Sequence, residues 1–279
     1  MRKIKGGKVM SIQESNDVEM TLQQPDVHQR WEGSYRNKEN EEFYRQAFDY
    51  IVSVLPAEKK TTFLDIGCGI GCHSIRLAKH GFSVLAVDFS EHVLKTAELN
   101  LQDKGWKDNI KLQRENILSL SFADETFDYI LCWGVLMHIP DIEKAVSELD
   151  RVVKKGGVLV ISEGNMLSVE SITLRGIKKI LGREKATVKK TAAGIESWQV
   201  TSSGNLLTRQ ADIGWLKRTF KSKGFVIKKH VSGQFTELYT KFSNRAIRKV
   251  IFIFNMLWFK YVKLPYFAFG NIIIFEKQK

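Results

Sequence analysis

The chain has 279 residues, enough for one sizeable α/β domain with an elaboration or for two small domains. Hydrophobic residues make up 43% and charged residues 27%, a composition that excludes both a disordered chain and a membrane-spanning one. Three cysteines, Cys68, Cys72 and Cys132, are too few for a disulfide framework, and no signal peptide is visible. We therefore expect a reducing, cytoplasmic environment.

The charge is distributed unevenly along the chain. Residues 1–150 carry 18 basic and 24 acidic side chains, whereas residues 151–279 carry 25 and 7. Such an excess of positive charge predicts that the second half meets an anionic partner, such as phosphate, nucleic acid or a membrane face, although a solvated surface is the simpler alternative.

The first 25 residues are predicted to be a disordered tail. The segment MRKIKGGKVM resembles a translated ribosome-binding site of a bacterial gene, so the hypothesis is that the native protein starts at Met10. In either case this segment adds nothing to the fold.

Strand and helix patterns then alternate. A helical pattern runs from about residue 39 to Pro56, and later ones cover 71–81, 90–105 and 141–157. The strand patterns are TTFLDI (61–66), FSVLAVD (82–88), IKLQRE (110–115), FDYILCW (127–133) and VLVISEG (158–164). This alternation predicts a doubly wound α/β fold, with a parallel sheet and helices on both faces.

The stretch FLDIGCGIG follows the first strand, where ligands bind in such sheets. Its glycines let a ligand approach the backbone, and Asp88 ends the second strand, where a carboxylate can accept both hydroxyls of a ribose. The spacing is D-x-G-x-G-x-G rather than the dinucleotide pattern G-x-G-x-x-G, and no lysine of a P-loop follows. Cys68, Cys72 and His73 lack a second ligand pair, so no metal site is predicted.

Four segments in this order resemble the class I S-adenosylmethionine-dependent methyltransferases, in the small-molecule branch of the quinone methylases. They are FLDIGCGIG, VLAVDFSEHVLKTAE, FDYILCWGVLMHIPD and LDRVVKKGGVLVISE. The resemblance is strong over residues 28–164 and weak over 208–232. It implies a Rossmann-like, mostly parallel seven-stranded sheet whose last strand is antiparallel, with 224–231 and 271–278 as the sixth and seventh strands.

The resemblance also implies cofactor-binding roles for ten positions. The glycine turn would pass under the methionine and ribose, and Asp65 would order the turn or meet the amino group. Asp88 would hold the ribose, Phe89 would lie against the adenine, and Ile117 would flank the base. The complete predicted set is Asp65, Gly67, Cys68, Gly69, Gly71, Asp88, Phe89, Asn116, Ile117 and Trp133.

Two features of this resemblance have alternative readings. Asn116 stands where the family usually has an aspartate; its amide oxygen can accept a hydrogen bond from the adenine amino group, or the residue only forms a turn. Trp31 and Tyr35 match an aromatic segment that covers the cofactor in this family, or they only pack at the domain edge.

Methyl transfer depends mainly on alignment in a water-poor site, but a hydroxyl acceptor benefits from a general base. His138, after the fourth strand, is the first candidate for that base and Glu163, at the end of the fifth strand, is the second. A histidine that only begins a helix or fills the core is the alternative for His138.

The remaining segments bear on the acceptor. Residues 165–207 are longer than a connection requires and rich in lysine and arginine, which predicts a helical lid over the acceptor, with a solvated helix hairpin as the alternative. Residues 244–263 are apolar nearly all round, but their apolar runs are too short to span a bilayer. We expect this aromatic helix to be buried or to line the substrate pocket; exposure would instead suit a lipophilic acceptor or a bilayer surface.

The sequence thus predicts a cofactor-binding core at 26–164, a helical lid at 165–207 and the rest of the sheet at 208–279. The expected function is methylation of a small, lipophilic or membrane-linked acceptor with S-adenosylmethionine as cofactor, in the cytoplasm or peripherally on the inner membrane face. An RNA methyltransferase and a non-catalytic S-adenosylmethionine-binding protein are the alternatives. The sequence argues against nucleic acid, because it contains neither an N/D-P-P-Y motif nor an RNA-binding module.

Overall fold

A central seven-stranded sheet organises the chain in a computed structural model that describes residues 18–24, 35, 38–56, 61–182, 187–201 and 204–279. Its strands are β1 (Thr62–Ile66), β2 (Ser83–Asp88), β3 (Ile110–Arg114), β4 (Phe127–Trp133), β5 (Val153–Gly164), β9 (Phe225–Ser232) and β10 (Gly270–Lys277). The strand order is β3-β2-β1-β4-β5-β10-β9, and β10 alone runs antiparallel to its neighbours. The doubly wound sheet with an antiparallel last strand is thereby confirmed.

Seven α-helices accompany the strands in the described ranges from residue 38 onward. They are α1 (Lys38–Ser53), α2 (Cys72–Lys79), α3 (Glu91–Asp103), α4 (Ile142–Val152), α5 (Val169–Ile180), α6 (Ile213–Ser222) and α7 (Arg245–Leu257). Side chains from α1, α2 and α3 pack on one face of the sheet, and those from α4 and α6 pack on the other. Ser90 caps α3 and Asp141 caps α4, because each side chain accepts a hydrogen bond from a backbone N–H in the first turn.

The insertion after β5 differs from the predicted helical lid. It begins with α5 and continues as a three-stranded antiparallel sheet of β6 (Thr187–Thr191), β7 (Gly194–Thr201) and β8 (Gly204–Ala211). Buried positions alternate at the end of β8, where Leu207, Arg209 and Ala211 face inward. This period of two is a strand pattern, so the prediction of a wholly helical lid was wrong, and β8 crosses the predicted boundary at 207/208.

The N-terminal region also departs from expectation. Residues 18–22 are helical, and Val18 and Leu22 pack against Leu206 and Leu207 of β8. The predicted disordered tail therefore extended too far, because this segment buries apolar side chains. The proposed start at Met10 and the predicted role of Trp31 lie outside the described residues.

The aromatic helix is mostly exposed, so the expectation of burial was wrong for most of it. In α7 only Phe252 and Asn255 are buried, followed by Phe259 in the π-helical segment Trp258–Val262. Phe259 packs edge-on against Phe43 of α1, at the border of a sheet face that other helices already cover. No helix in the described part of the chain is long and apolar enough to cross a membrane.

Candidate functional site

The glycine turn joins β1 to α2 at the carboxyl end of the sheet. Gly67 and Gly69 have φ angles of 66° and 55°, in the left-handed region that favours glycine. A Cβ atom on Gly67 would overlap the Val135 side chain, whereas a Cβ on Gly69 would meet no atom within 4 Å. Gly67 therefore packs closely against the loop after β4, and Gly69 faces open space.

Asp88 fixes the open side of this turn. Its carboxylate accepts hydrogen bonds from the backbone N–H of Gly69, at 3.1 Å, and of Ser90, at 3.0 Å. The side chain lies at the end of β2 and is buried, yet it still lines the cavity beside the turn. Asp88 thus orders the backbone of the glycine turn, and its predicted contact with a ribose stays a prediction.

Asp65 lies beneath the turn. The Ser74 hydroxyl donates to its carboxylate at 2.6 Å, and burial raises the pKa of this carboxyl to about 7. Asp65 and Gly71 are the two predicted residues that do not line the cavity. The observed contact corresponds to the first of the two predicted roles of Asp65, the ordering of the turn.

The cavity above the turn has a volume of about 580 Å³. The sheet order reverses here, since β1 lies between β2 and β4. It is lined by every other predicted site residue, namely Gly67, Cys68, Gly69, Asp88, Phe89, Asn116, Ile117, Trp133, His138 and Glu163. The structure therefore brings together in one chamber residues that are spread over nearly 100 positions of the sequence.

An aromatic cluster forms one wall of the cavity. Trp133 stacks on Phe48 with the ring centroids 5.5 Å apart, and the His73 ring lies 5.0 Å from Trp133. Burial, assisted by the nearby guanidinium of Arg76, holds the pKa of His73 well below its usual range, so this imidazole is neutral. Arg76 lies over the Tyr44 ring and pairs with Glu41 at 2.6 Å.

Two chain segments that the motifs do not cover form the roof of the cavity. Residues 18–22 contribute Val18, Glu19 and Leu22, while β8 contributes Leu206 and Thr208. No signal in the sequence marked them, because apolar residues in an insertion and in a presumed tail carry no recognisable pattern. We call residues 18–22 together with β8 the roof.

Asn116 links the roof to the sheet. Its side-chain amide donates to the Glu19 carboxylate at 3.1 Å, and its amide oxygen accepts from the Leu118 N–H at 2.9 Å. This second contact is that of a turn residue, the alternative considered for this position. The residue nonetheless lines the cavity, so its predicted contact with adenine stays a prediction.

His138 belongs to a short 3-10 turn, Leu136–His138, after β4. Its Nδ1 lies 2.8 Å from the Leu207 carbonyl oxygen in the roof. Because a carbonyl can only accept, Nδ1 carries a proton in this contact, and Nε2 is the basic nitrogen of the neutral ring. This geometry suits a general base.

Glu163 accepts a hydrogen bond from the same turn, Leu136–His138. Its Oε1 accepts from the Leu136 N–H at 2.9 Å, while Oε2 has no hydrogen-bond partner among the described residues. Burial raises the pKa of this carboxyl to about 8. Its observed contact positions the turn that bears His138, and its predicted part as a base stays untested.

Arg209 of β8 is fully buried and clamps the loop around His138. Its guanidinium donates to the carbonyls of Leu136, at 2.9 Å, and Ile139, at 2.8 Å. It also pairs with the buried Glu196 of β7 at 2.9 Å. Sequence reasoning missed this residue, because a single arginine in a basic insertion looks like one more surface charge.

A hydrogen-bonded pair, Tyr35 and Glu237, borders the cavity near α1. The Tyr35 hydroxyl donates to Glu237 at 2.9 Å, and both residues line the chamber. Burial raises the pKa of Glu237 to about 7. Tyr35 is therefore part of the cavity wall rather than only the domain edge, while its predicted contact with a cofactor stays a prediction.

Glu163→Gln is expected to change how stability depends on pH. The folded protein keeps the Glu163 proton up to about pH 8, whereas the unfolded chain releases it near the ordinary value of 4.5. Raising the pH across this window therefore favours unfolding, by up to about 1.4 kcal/mol per pH unit. Urea denaturation from pH 5 to 8 should show a smaller loss of stability in Glu163→Gln than in the wild type; equal slopes would contradict the assignment.

The comparisons with known proteins agree with this geometry. A family model described as a methyltransferase domain matches residues 57–224. A demethylmenaquinone methyltransferase of Desulfitobacterium hafniense (strain Y51) is 36% identical over 133 residues, covering 46% of this chain and 50% of that protein. A phosphatidylethanolamine N-methyltransferase of Cereibacter sphaeroides is 32% identical over 125 residues, covering 45% and 60%. The chain thus spans between half and three fifths of the length of these curated relatives.

Solved structures support the fold. Magnesium protoporphyrin IX methyltransferase from Synechocystis PCC 6803, with bound SAH, aligns over 94% of this chain and all of that one, with a TM-score of 0.61 and 17% identity. A [4+2]-cyclase, SpnF, aligns over 84% and 81% with a TM-score of 0.55 and 16% identity. Similarity at this level extends to a protein named for a different reaction, so it shows the fold alone. The family model, which matches more than half of the chain, shows that this protein belongs to the methyltransferase domain family.

Proposed function

We propose that the protein is an S-adenosylmethionine-dependent methyltransferase. The observation that carries the proposal is the turn at Gly69, which opens onto a cavity at the switch point of the sheet, with Asp88 beside it. The volume of that cavity lies within the range of about 300–1,000 Å³ typical of ligand sites. Membership in the family supports the same reading.

The residues present fit this cofactor. The space above Gly69 allows the close backbone approach that a Cβ would prevent, and Asp88 supplies a carboxylate at the ribose position. Phe89 and Ile117 provide apolar surfaces for the adenine, and Trp133 adds an aromatic side chain to the cavity wall. These roles are part of the proposal.

When bound, the cofactor supplies a methyl group activated by a sulfonium. The protein has to align an acceptor with it and keep water out. Val18, Leu22 and Leu206 of the roof present apolar side chains to the cavity. Nε2 of His138 would accept the proton of a hydroxyl acceptor, while Leu207, through its carbonyl, keeps the ring oriented.

We further propose a small, lipophilic acceptor. The cavity wall around His138 includes Val135, Met137, Ile139 and Leu206. Two relatives are named for lipophilic acceptors, demethylmenaquinone and phosphatidylethanolamine. We place the protein in the cytoplasm, in keeping with its free cysteine thiols.

The proposal is tested first by calorimetric titration of the wild-type protein with S-adenosylmethionine, S-adenosylhomocysteine and NAD. Both sulfur-containing ligands should bind with a stoichiometry of one, and NAD should not bind, because the turn lacks the dinucleotide spacing. Binding of NAD alone would overturn the proposal.

A variant of His138 separates cofactor binding from methyl transfer. His138→Gln should bind S-adenosylhomocysteine like the wild type, since the histidine lies on the acceptor side. With a reduced naphthoquinone as the acceptor probe, methyl transfer should fall about 10²-fold or more. Unchanged transfer would remove His138 as the base but would leave the cofactor assignment intact.

A further inference from the structure

One side of α7 is apolar and exposed. Ile247, Val250, Phe254 and Leu257 recur at intervals of three or four residues, which places them on one side of the helix. Val250 is 67% exposed and Leu257 50%, and the buried Phe252 and Asn255 lie on the opposite side. These four side chains are 42% to 67% exposed among the described residues, so the stripe faces solvent, while Phe254 also contacts the rings of Phe235 and Trp258.

The exposed stripe continues onto a second helix. After the π-helical segment, the chain presents Tyr266 and Phe267, which are 65% and 55% exposed. The Val169 N–H donates to the Phe267 carbonyl at 3.1 Å, which joins this loop to the start of α5. Val169 and Ile172 of α5 are exposed in turn. We call the exposed residues of α5, α7 and 258–267 the aromatic-basic surface.

The exposed charged side chains of this surface are all basic. Residues 244–267 contain five basic side chains and no acidic one. Lys249 is exposed near the stripe on α7, and α5 ends with Lys178 and Lys179, also exposed. The single acid of α5, Glu170, points inward and accepts from Thr236 at 2.6 Å. An apolar stripe bordered by lysines complements an anionic bilayer.

The aromatic-basic surface adjoins the cavity. The Asn165 N–H donates to the Phe269 carbonyl at 2.7 Å, and Phe269 and Gly164 line the chamber. Phe269 follows the exposed Phe267 by only two residues. A bilayer seated on this surface would therefore lie next to the acceptor end of the site.

We propose that the aromatic-basic surface docks the protein on an anionic lipid bilayer, from which the acceptor enters the cavity. The docking is inferred only from the exposure and charge of this surface, whereas the entry of the acceptor rests on the proposed function. Exposed apolar patches of this kind mark interaction sites, and interleaved lysines favour lipid headgroups over a purely apolar protein partner. The helices would lie in the interface, in keeping with their length.

The test is sedimentation of the full chain with vesicles. Wild-type protein should bind vesicles of equimolar phosphatidylcholine and phosphatidylglycerol, bind phosphatidylcholine alone more weakly, and be released by salt. Val250→Glu/Leu257→Glu should weaken binding at least about tenfold, because it places two carboxylates on the stripe. Leu99→Glu is the matched control, since Leu99 on α3 is 64% exposed and lies outside the surface.

Three outcomes would overturn the proposal: no binding to anionic vesicles at low salt, equal binding by the double variant, or equal loss in the Leu99→Glu control. Sedimentation equilibrium of the wild-type protein without lipid tests whether a second copy of the chain covers this surface instead. A dimer that Val250→Glu dissociates would assign the surface to a second copy of the chain. Titration with S-adenosylhomocysteine on the same samples shows folding and cofactor binding separately, so failure of docking and failure of the proposed activity are distinguishable.

Discussion

Arg209→Met is expected to lower the free energy of unfolding by about 3–5 kcal/mol. The guanidinium is 1% exposed, and its loss leaves the Glu196 carboxylate, 5% exposed, without its charge partner. The carbonyls of Leu136 and Ile139 lose their donor as well. A buried charge without a partner is far more costly than a missing surface contact, which explains the size of the expected effect. Urea denaturation measures it.

Arg45→Met provides the matched control for this prediction. Arg45 forms ion pairs as well, with Glu42 and Asp49, but its side chain is 58% exposed, so its loss should cost less than about 1 kcal/mol. In Arg209→Met/Glu196→Gln the unpaired charge is gone, and part of the lost stability should return. Equal effects of Arg209→Met and Arg45→Met would show that the buried pair contributes no more than a surface pair.

Gly69→Ala is expected to weaken binding of S-adenosylhomocysteine by tenfold or more, roughly 1.4 kcal/mol. The added methyl group meets no protein atom, but it occupies the space above the turn where the ligand would approach the backbone. Calorimetric titration of wild type and variant gives the ratio of the two affinities.

Gly105→Ala separates that effect from backbone strain. Gly105 also has a left-handed φ, 71°, and open space at its Cβ, but it lies after α3, away from the cavity. Both alanine variants should lose roughly 1–2 kcal/mol of stability, because an L-residue is strained in this conformation. Only Gly69→Ala should lose affinity. Equal affinity in both variants would contradict the placement of the ligand over the turn.

The core of the site could be predicted from the sequence for local reasons. Short apolar strands, each followed by a turn and an amphipathic helix, determine a parallel sheet, and the carboxyl ends of its strands collect at one edge. Gly67, Gly69 and Asp88 each belong to a segment adjoining such a strand end. Their convergence in one chamber follows from topology, so periodicity and spacing were sufficient.

The other side of the cavity depends on contacts between distant segments, which no local pattern encodes. Arg209 meets Leu136 across 73 positions, and Glu19 meets Asn116 across 97. The second pair gives a reason for the unusual residue at position 116. An aspartate there would face the Glu19 carboxylate, whereas the asparagine amide can donate a hydrogen bond to it.

The aromatic helix shows the limit of composition as a guide. Its near-uniform apolarity suggested burial, because apolar residues on every side usually belong to a core. The structure buries one edge, at Phe252, Asn255 and Phe259, and leaves the other in solvent. Composition alone could not show which edge of the helix is buried, because that depends on how much of the sheet face the other helices leave uncovered.

The roof has a consequence for the timing of turnover. Its strand β8 is held in place by the buried Arg209, whereas residues 18–22 contact β8 through Val18 and Leu22, which pack against Leu206 and Leu207, and contact the sheet through the hydrogen bond from Asn116 to Glu19. So small an interface opens at a fraction of the free energy needed to unfold the sheet. In the proposed enzyme, spent cofactor would leave by local opening of residues 18–22, and the residence time of the ligand would be governed by this short segment rather than by the stability of the sheet.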